Sequence, residues 1–137
     1  MKSAIVLADF YPDIAEGLLE SCRLALTEAG MAKPSLVRVP GALEIPFALQ
    51  TLARSKVDVL VALGCVIRGE TRHFDIVSDI CARGILRVQL DFNAPIGNGV
   101  LTVENKMQAL ARLDKGGVAA KAALTLAQLK REIPPIA

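Results

Sequence analysis

The chain is poor in aromatic residues and in histidine. Tryptophan is absent, aromatic residues make up 4% of the 137 positions, and His73 is the single histidine. The core must therefore be built from Ala, Val, Leu and Ile, and apolar residues make up 53% of the chain. With one histidine and no clustered ligands, the sequence also argues against a bound metal, since structural and catalytic zinc sites take three or four protein ligands.

Cysteine is scarce and unpaired. Cys22, Cys65 and Cys81 form no CxxC pair, and an odd number without metal spacing is typical of reduced thiols in a cytoplasmic protein. Only a short apolar run separates Lys2 from Asp9, so we expect no secretory signal. The longest apolar stretch, Val59–Ile67, is too short to cross a membrane, and we expect no membrane partner.

The chain also lacks a large excess of positive or negative charge. The formal net charge is +2, and no run of Lys or Arg stands out. Without a basic stripe and interleaved aromatic residues, nucleic acid is not an expected partner. The length fits one domain with one hydrophobic core, so we predict a single domain over residues 1–137.

Strand and helix patterns alternate along the chain. Repeated βα units predict an α/β fold in which helices flank both faces of a four-stranded parallel sheet. The predicted strands cover residues 3–8, 35–39, 57–63 and 95–102. The predicted helices cover residues 12–29, 44–54, about 71 or 73 to 90, 104–113 and 117–131. The last helix is apolar around most of its circumference, which fits equally a subunit interface and small side chains that need no burial.

Residues 64–75 follow an apolar strand and open a helix, the position where open α/β sheets bind ligands. Their spacing approaches the phosphate loop G-x-x-x-x-G-K-[ST], but Glu70 stands where that motif needs Lys. A carboxylate there would repel a triphosphate, which excludes a nucleotide triphosphatase. Backbone N–H groups and the Thr71 hydroxyl could still bind one phosphate, or Thr71 could simply cap the helix.

His73 falls in the first turn of the same helix. The positive helix end disfavours the imidazolium, so a neutral ring could accept a proton as a general base. A structural histidine is the alternative. Asp75 could orient the ring or face solvent. Cys65 could form a nucleophilic dyad with His73, although a small buried role suits its place after a buried strand better.

Residues 39–46 also join a strand to a helix, so they should lie at the same sheet edge. Glu44 could bind hydroxyl groups, or it could simply be stabilised by the helix dipole. Phe10, after the first strand, could stack on a planar ring or cover the core. Arg112 and Lys115 follow the fourth helix, where they could bind an anion or only complement a helix C-terminus.

Taken in order, these segments resemble the lumazine synthase family. The resemblance covers nearly the whole chain and implies a flavodoxin-like three-layer sandwich that assembles as a homopentamer, with active sites between subunits. It implies condensation of 5-amino-6-(D-ribitylamino)uracil with 3,4-dihydroxy-2-butanone 4-phosphate to 6,7-dimethyl-8-ribityllumazine, without a metal or organic cofactor. The matching segments are residues 8–11, 39–46, 64–77 and 99–105, with Gln108, Ala109 and Arg112.

The resemblance also implies roles for individual residues. His73 should move protons during Schiff-base formation and elimination. Arg112, from a neighbouring subunit, should bind the phosphate, and Lys115 matches a family lysine only when a gap is allowed. Asn98 stands where relatives often have an aromatic residue that contributes to the ring pocket. The remaining implied contacts are Phe10 stacked on the uracil, Cys65, Val66 and Ile67 pairing with it through the backbone, Ala42, Leu43 and Glu44 at the ribityl chain, and Glu70 and Thr71 at the phosphate.

Three other functions are compatible with parts of this pattern. A phosphoacceptor module would need an acidic pair after the first strand, where Asp9 stands alone. A degenerate family member could bind flavin-like ligands or build a shell without catalysis. An archaeal-type riboflavin synthase shares the fold, but residues 69–74 favour the lumazine enzyme.

Overall fold

The computed structural model describes residues 1–135, so the last two residues of the predicted domain, 136 and 137, lie outside the described residues. Strands and helices alternate as the sequence predicts. The strands are β1 (Ser3–Ala8), β2 (Ser35–Val39), β3 (Val59–Ile67) and β4 (Ile96–Val103). The helices are α1 (Pro12–Glu28), α2 (Ile45–Ala53), α3 (His73–Asp91), α4 (Lys106–Leu110) and α5 (Lys115–Glu132), and one 3₁₀ turn, Ala42–Glu44, precedes α2.

The four strands form one parallel sheet in the order β2-β1-β3-β4. Helices α1 and α5 cover one face of the sheet, and α2 and α3 cover the other. Every residue of β1 is buried, as expected for a strand with helices on both sides. This three-layer arrangement confirms the predicted fold class.

Local sequence explains where several elements begin. Pro12 occupies the first turn of α1, and Pro46 the first turn of α2, positions where a missing backbone N–H removes no helical bond. The Asn105 side chain accepts the Gln108 N–H at 2.9 Å. This cap starts α4 at Lys106, and the helix ends at Leu110, so the predicted helix over 104–113 is too long at both ends.

The strand β3 is longer than the pattern predicts. It runs to Ile67 instead of ending at residue 63, because β4 continues to pair with it as far as Ile67 and Val103. The glycine and cysteine at positions 64 and 65 therefore belong to the strand and not to the following loop. This extension brings the end of β3 into the site described below.

Helix α5 packs against the sheet and α1 at very short range. A Cβ on Gly97 would lie 1.8 Å from the Ala119 carbonyl oxygen, and one on Gly116 would lie 2.0 Å from the Leu18 carbonyl oxygen. Six small residues of α5 are thus buried within this chain, and they account for one face of the helix: Gly116, Gly117, Ala119, Ala120, Ala123 and Ala127. Its large exposed apolar residues are Val118 and Leu129.

Exposed apolar side chains concentrate instead on the layer formed by α2 and α3. Phe47 is the most prominent, with 75% of its surface accessible. We call this group the α2–α3 apolar surface, and it consists of Leu43, Phe47, Ile76, Ile80, Leu86, Leu90 and Phe92. Large exposed apolar patches on a protein surface commonly mark sites of protein–protein interaction.

Across residues 1–135, none of the helices has the length and apolar character needed to cross a lipid bilayer.

Candidate active site

A cleft of about 390 Å³ opens at the carboxyl ends of β1, β2 and β3. The helix that follows β1 lies on one face of the sheet, and the helix that follows β3 lies on the other face. The crevice between these two strands is therefore the switch point of the topology, where α/β sheets bind ligands. The cleft brings together most of the residues predicted from the sequence. It is lined by Phe10, Tyr11, Pro40, Gly41, Ala42, Leu43, Glu44, Cys65, Val66, Ile67, Gly69, Thr71, His73, Phe74 and Val77.

The floor of the cleft is the end of β3, where main-chain pairing is one-sided. Pairing with β1 stops at Leu7 and Leu63, whereas pairing with β4 continues to Ile67. The N–H of Leu60 points to β4, and that of Val59 points to the β1 side. Peptide groups alternate along a strand, so those of Cys65 and Ile67 face the cleft beyond the end of the β1 pairing. Such an edge can form main-chain hydrogen bonds with a planar polar ligand.

One wall of the cleft is aromatic. The Phe10 ring is 70% exposed, so it does not cover the core, and it meets Tyr11 edge to face with the centroids 5.0 Å apart. The preceding residue is fixed, because the Asp9 N–H donates to the Val39 carbonyl at 3.2 Å and the Asp9 carboxylate lies 3.5 Å from Arg38. The exposed ring is therefore held at the mouth of the cleft, where its face can stack on a ligand.

The opposite rim is the 3₁₀ turn between β2 and α2. Ala42 is buried beneath it, while Leu43 and Glu44 are exposed and line the cleft. The Glu44 N–H donates to the Gly41 carbonyl at 3.2 Å, which closes the turn. The Glu44 carboxylate thus sits at the rim as an acceptor for hydroxyl groups.

The start of α3 supplies the polar end of the cleft. His73 is the first residue of the helix and is exposed to the cleft. The Thr71 hydroxyl accepts the His73 N–H at 3.3 Å, although Arg72 and not Thr71 is the N-cap residue of α3, and Thr71 also lines the cleft. The Asp75 side chain is exposed, and its carboxylate lies 3.5 Å from the Arg68 guanidinium.

The Cys65 side chain is a poor nucleophile in this setting. The residue is buried, and burial raises the pKa of its thiol to about 11. At neutral pH the group is therefore protonated, while nucleophilic attack needs the thiolate. This agrees with the small apolar role favoured from the sequence and disfavours a dyad with His73.

Four of the predicted site residues do not line this cleft. Glu70 lies on the exposed loop before α3. On β4, the Asn98 side chain accepts the Val100 N–H at 2.9 Å. Arg112 follows α4 and donates to the Gln108 carbonyl at 2.9 Å, and Lys115 begins α5.

Two residues beside the predicted ones were missed. Phe74 lines the cleft next to His73, and the guanidinium of Arg68 stacks over its ring at 4.4 Å from the centroid. Both lie inside the segment that the sequence singled out, but their contact joins the loop to the helix and has no periodic signature. Sequence spacing alone identifies the segment 64–75, but it does not reveal that Arg68 and Phe74 are in contact.

Within residues 1–135, the structure contains no cluster of three or more His, Cys, Asp or Glu side chains able to hold a metal ion.

A parallel sheet with a cleft at its switch point, lined by an aromatic ring, a one-sided strand edge and a helix start, defines a flavodoxin-like domain with a small-molecule site. The family model for 6,7-dimethyl-8-ribityllumazine synthase matches residues 1–131. The chain therefore belongs to the 6,7-dimethyl-8-ribityllumazine synthase family, whose enzymes act in riboflavin biosynthesis.

Relatives described as 6,7-dimethyl-8-ribityllumazine synthase are similar over most of their length. The protein of Agrobacterium fabrum is 49% identical, with 94% of each chain covered. That of Nitrosomonas europaea is 49% identical over 91% of this chain and 79% of the relative. That of Burkholderia multivorans is 50% identical over 94% of this chain and 77% of the relative.

Proposed function

We propose that this chain condenses 5-amino-6-(D-ribitylamino)uracil with 3,4-dihydroxy-2-butanone 4-phosphate to give 6,7-dimethyl-8-ribityllumazine, phosphate and water. Family membership supports the reaction. The observation that carries it for this chain is the cleft, which joins a stacking ring, a main-chain edge and a polar helix start within about 390 Å³. Two substrates held side by side in attack geometry can gain an effective molarity of about 10⁵ M or more.

The uracil is proposed to bind between Phe10 and the end of β3. The exposed Phe10 ring offers a face for stacking, and the cleft-facing peptide groups of Cys65 and Ile67 offer donors and acceptors to the edge of the pyrimidine. The ribityl chain would then extend over Ala42 and Leu43, with its hydroxyls donating to Glu44. Val66 packs beneath this edge as part of the core.

The phosphate of the second substrate is proposed to bind near Thr71 at the start of α3, where N–H groups favour an anion. None of the described residues that line the cleft is Lys or Arg. A dianionic group needs a cation nearby, and we assign that role to Arg112 of a neighbouring subunit, with Lys115 and Glu70 at the border of the phosphate site. Asn98 would also approach from the neighbour, as a polar group that cannot stack.

His73 is proposed to exchange the protons. The 5-amino group adds to the ketone and loses a first water to form an imine, and elimination then releases phosphate. The ribityl-bearing nitrogen closes the ring by adding to the remaining carbonyl, and loss of a second water gives the lumazine. Each step moves a proton onto or off the substrate, and an imidazole at the cleft can carry it in both directions.

The assembly is proposed to be a homopentamer. The α2–α3 apolar surface supports this, because large exposed side chains such as Phe47 and Ile80 are stabilised when a second subunit covers them. A shared site fits the same arrangement, since no Lys or Arg is among the residues of the described part of the chain, 1–135, that line the cleft.

The test is to mix the protein with both substrates and to follow lumazine absorbance and phosphate release together. We expect product well above the spontaneous rate, with one phosphate released per lumazine formed. A rate equal to the spontaneous one, from protein that binds a lumazine or flavin, would instead identify a binding protein without catalysis.

A further inference from the structure

Arg68 is the first residue after β3, and its side chain contacts three residues in two separate parts of the chain, the end of β4 and the first turn of α3. Its Nε lies 2.9 Å from a Glu104 carboxylate oxygen, just beyond the end of β4. Its Nη1 lies 3.5 Å from the Asp75 carboxylate in the first turn of α3. Its guanidinium stacks on the Phe74 ring at 4.4 Å.

These contacts span the loop that carries the polar end of the cleft. The Arg68 N–H also donates to the Val103 carbonyl at 2.9 Å, so both main chain and side chain tie this residue to β4. The next residues, 69–72, are exposed. Arg68 is therefore the point from which the start of α3 is held against the sheet.

Arg68 does not itself reach the cleft. It is absent from the residues that line the cleft, whereas Gly69, Thr71, His73 and Phe74 are present. Its Nε and Nη1 already contact two carboxylates, which opposes the recruitment of an additional anion. Its contribution to the site must act through the groups that it holds.

We propose that Arg68 is a positioning residue that fixes Thr71, His73 and Phe74 in the geometry needed for the phosphate-bearing substrate. This inference rests on the proposed function. Arginine suits the task because its planar fork can engage two carboxylates and one aromatic face at the same time. Displacing a reacting group by about 1 Å can cost about 100-fold in rate.

The substitution Arg68→Ala should affect the two substrates unequally. We expect kcat to fall about 10- to 100-fold and KM for the butanone phosphate to rise several-fold, because the loop loses its anchor. KM for the ribitylaminouracil should stay within about twofold, since β3 and Phe10 do not depend on the loop. A general loss of stability would instead change the amount of active protein without this split.

Three further variants sharpen the test. Arg68→Lys keeps the positive charge but lacks the planar guanidinium, so its kcat should lie between those of Arg68→Ala and the wild type. Glu104→Gln should act in the same direction as Arg68→Ala, and the double variant should be no worse than Arg68→Ala alone. Arg83→Ala is the control, because Arg83 also pairs with a carboxylate of α3, that of Asp79 at 3.0 Å, but lies outside the residues that line the cleft, and its kinetics should be unchanged.

Hydrogen–deuterium exchange of the peptide covering residues 69–77 provides a readout that does not require turnover. We expect faster exchange there in Arg68→Ala and Glu104→Gln, and no change in Arg83→Ala. Unchanged exchange in Arg68→Ala would overturn the proposal. Unchanged exchange combined with lost binding of inorganic phosphate would instead make Arg68 a direct ligand. If the wild-type protein makes no lumazine, the proposed function fails while the exchange result still tests the anchor.

Discussion

His73 is the ionisable side chain best placed to move protons in the cleft, because it begins α3 and is exposed to the same space as Thr71. The cleft can supply much of the rate by holding two substrates together, which does not depend on the imidazole.

We therefore expect His73→Ala to lower kcat by about 10- to 100-fold and to leave KM for the ribitylaminouracil nearly unchanged. Steady-state kinetics with each substrate varied in turn measure both effects. Complete loss of turnover in a folded variant would contradict a mechanism dominated by positioning.

The three thiols give a second prediction at this scale. Burial raises the pKa of Cys65 and Cys81 to about 11 and that of Cys22 to about 12, all above the ordinary value of 9.0. Above about pH 9, the unfolded chain loses these protons while the folded chain retains them. The free energy of unfolding should therefore fall as pH rises from 9 to 11, by up to about 1.4 kcal/mol per pH unit for each thiol.

Urea denaturation at intervals from pH 8 to 11 measures this slope. In Cys81→Ala the slope should become shallower, because one raised thiol has been removed. An equal slope in both proteins would contradict a contribution of the Cys81 thiol to the alkaline transition.

The sequence could predict which residues lie at the ends of strands and the starts of helices, but it could not predict which side chains they contact. Thr71 and His73 could be assigned to a helix start because a glycine-containing loop follows an apolar strand. The partner of Asp75 could not be predicted, because Arg68 reaches it across the loop, and tertiary contacts of this kind leave no periodic trace.

At the scale of the elements, β4 and α5 define the tightest contact in the fold. Gly97→Ala would place a methyl carbon 1.8 Å from the Ala119 carbonyl oxygen. That oxygen belongs to a helix backbone and cannot rotate away, so α5 must shift. We expect a loss of stability at or beyond the upper end of the usual range of about 1–3 kcal/mol.

Gly69→Ala is the matched control, since a Cβ at Gly69 meets nothing within 4 Å. Chemical denaturation of both variants measures the difference. Similar midpoints for the two variants would show that α5 can move away from β4 without cost.

Long periodic elements were predicted well, and their ends less so. The patterns of β1 and β2 gave their bounds directly, because turn residues flank them. The end of β3 was missed, since Gly64 was assigned to the glycine-containing loop that follows the strand, while the structure keeps it paired with Val100. Pairing with a neighbouring strand decided that boundary, and local sequence could not reveal it.

For the whole molecule, the α2–α3 apolar surface predicts self-association. Phe47→Ser should remove its largest exposed ring and shift the mass in light scattering towards smaller species. Leu24→Ser, on α1 at the other face of the sheet, is the control and should keep the wild-type mass. A wild-type protein that is monomeric at micromolar concentration would contradict the shared-site proposal.

A shared site also predicts complementation between variants. In a mixture of His73→Ala and Arg112→Ala subunits that are refolded together, about a quarter of the sites should contain both wild-type groups. Activity should rise towards that fraction, while each variant alone stays low. Activity equal to the mean of the separate proteins would place both groups in one subunit.

The one-sided end of β3 has a consequence for inhibitor resistance. On the proposed function, the pyrimidine is read by peptide groups at Cys65 and Ile67, and a side-chain substitution leaves peptide groups in place. Point mutations at these positions would have little power to exclude an inhibitor that copies the pyrimidine edge. Escape would have to arise at Phe10 or Glu44, where the same change would also weaken the natural substrate.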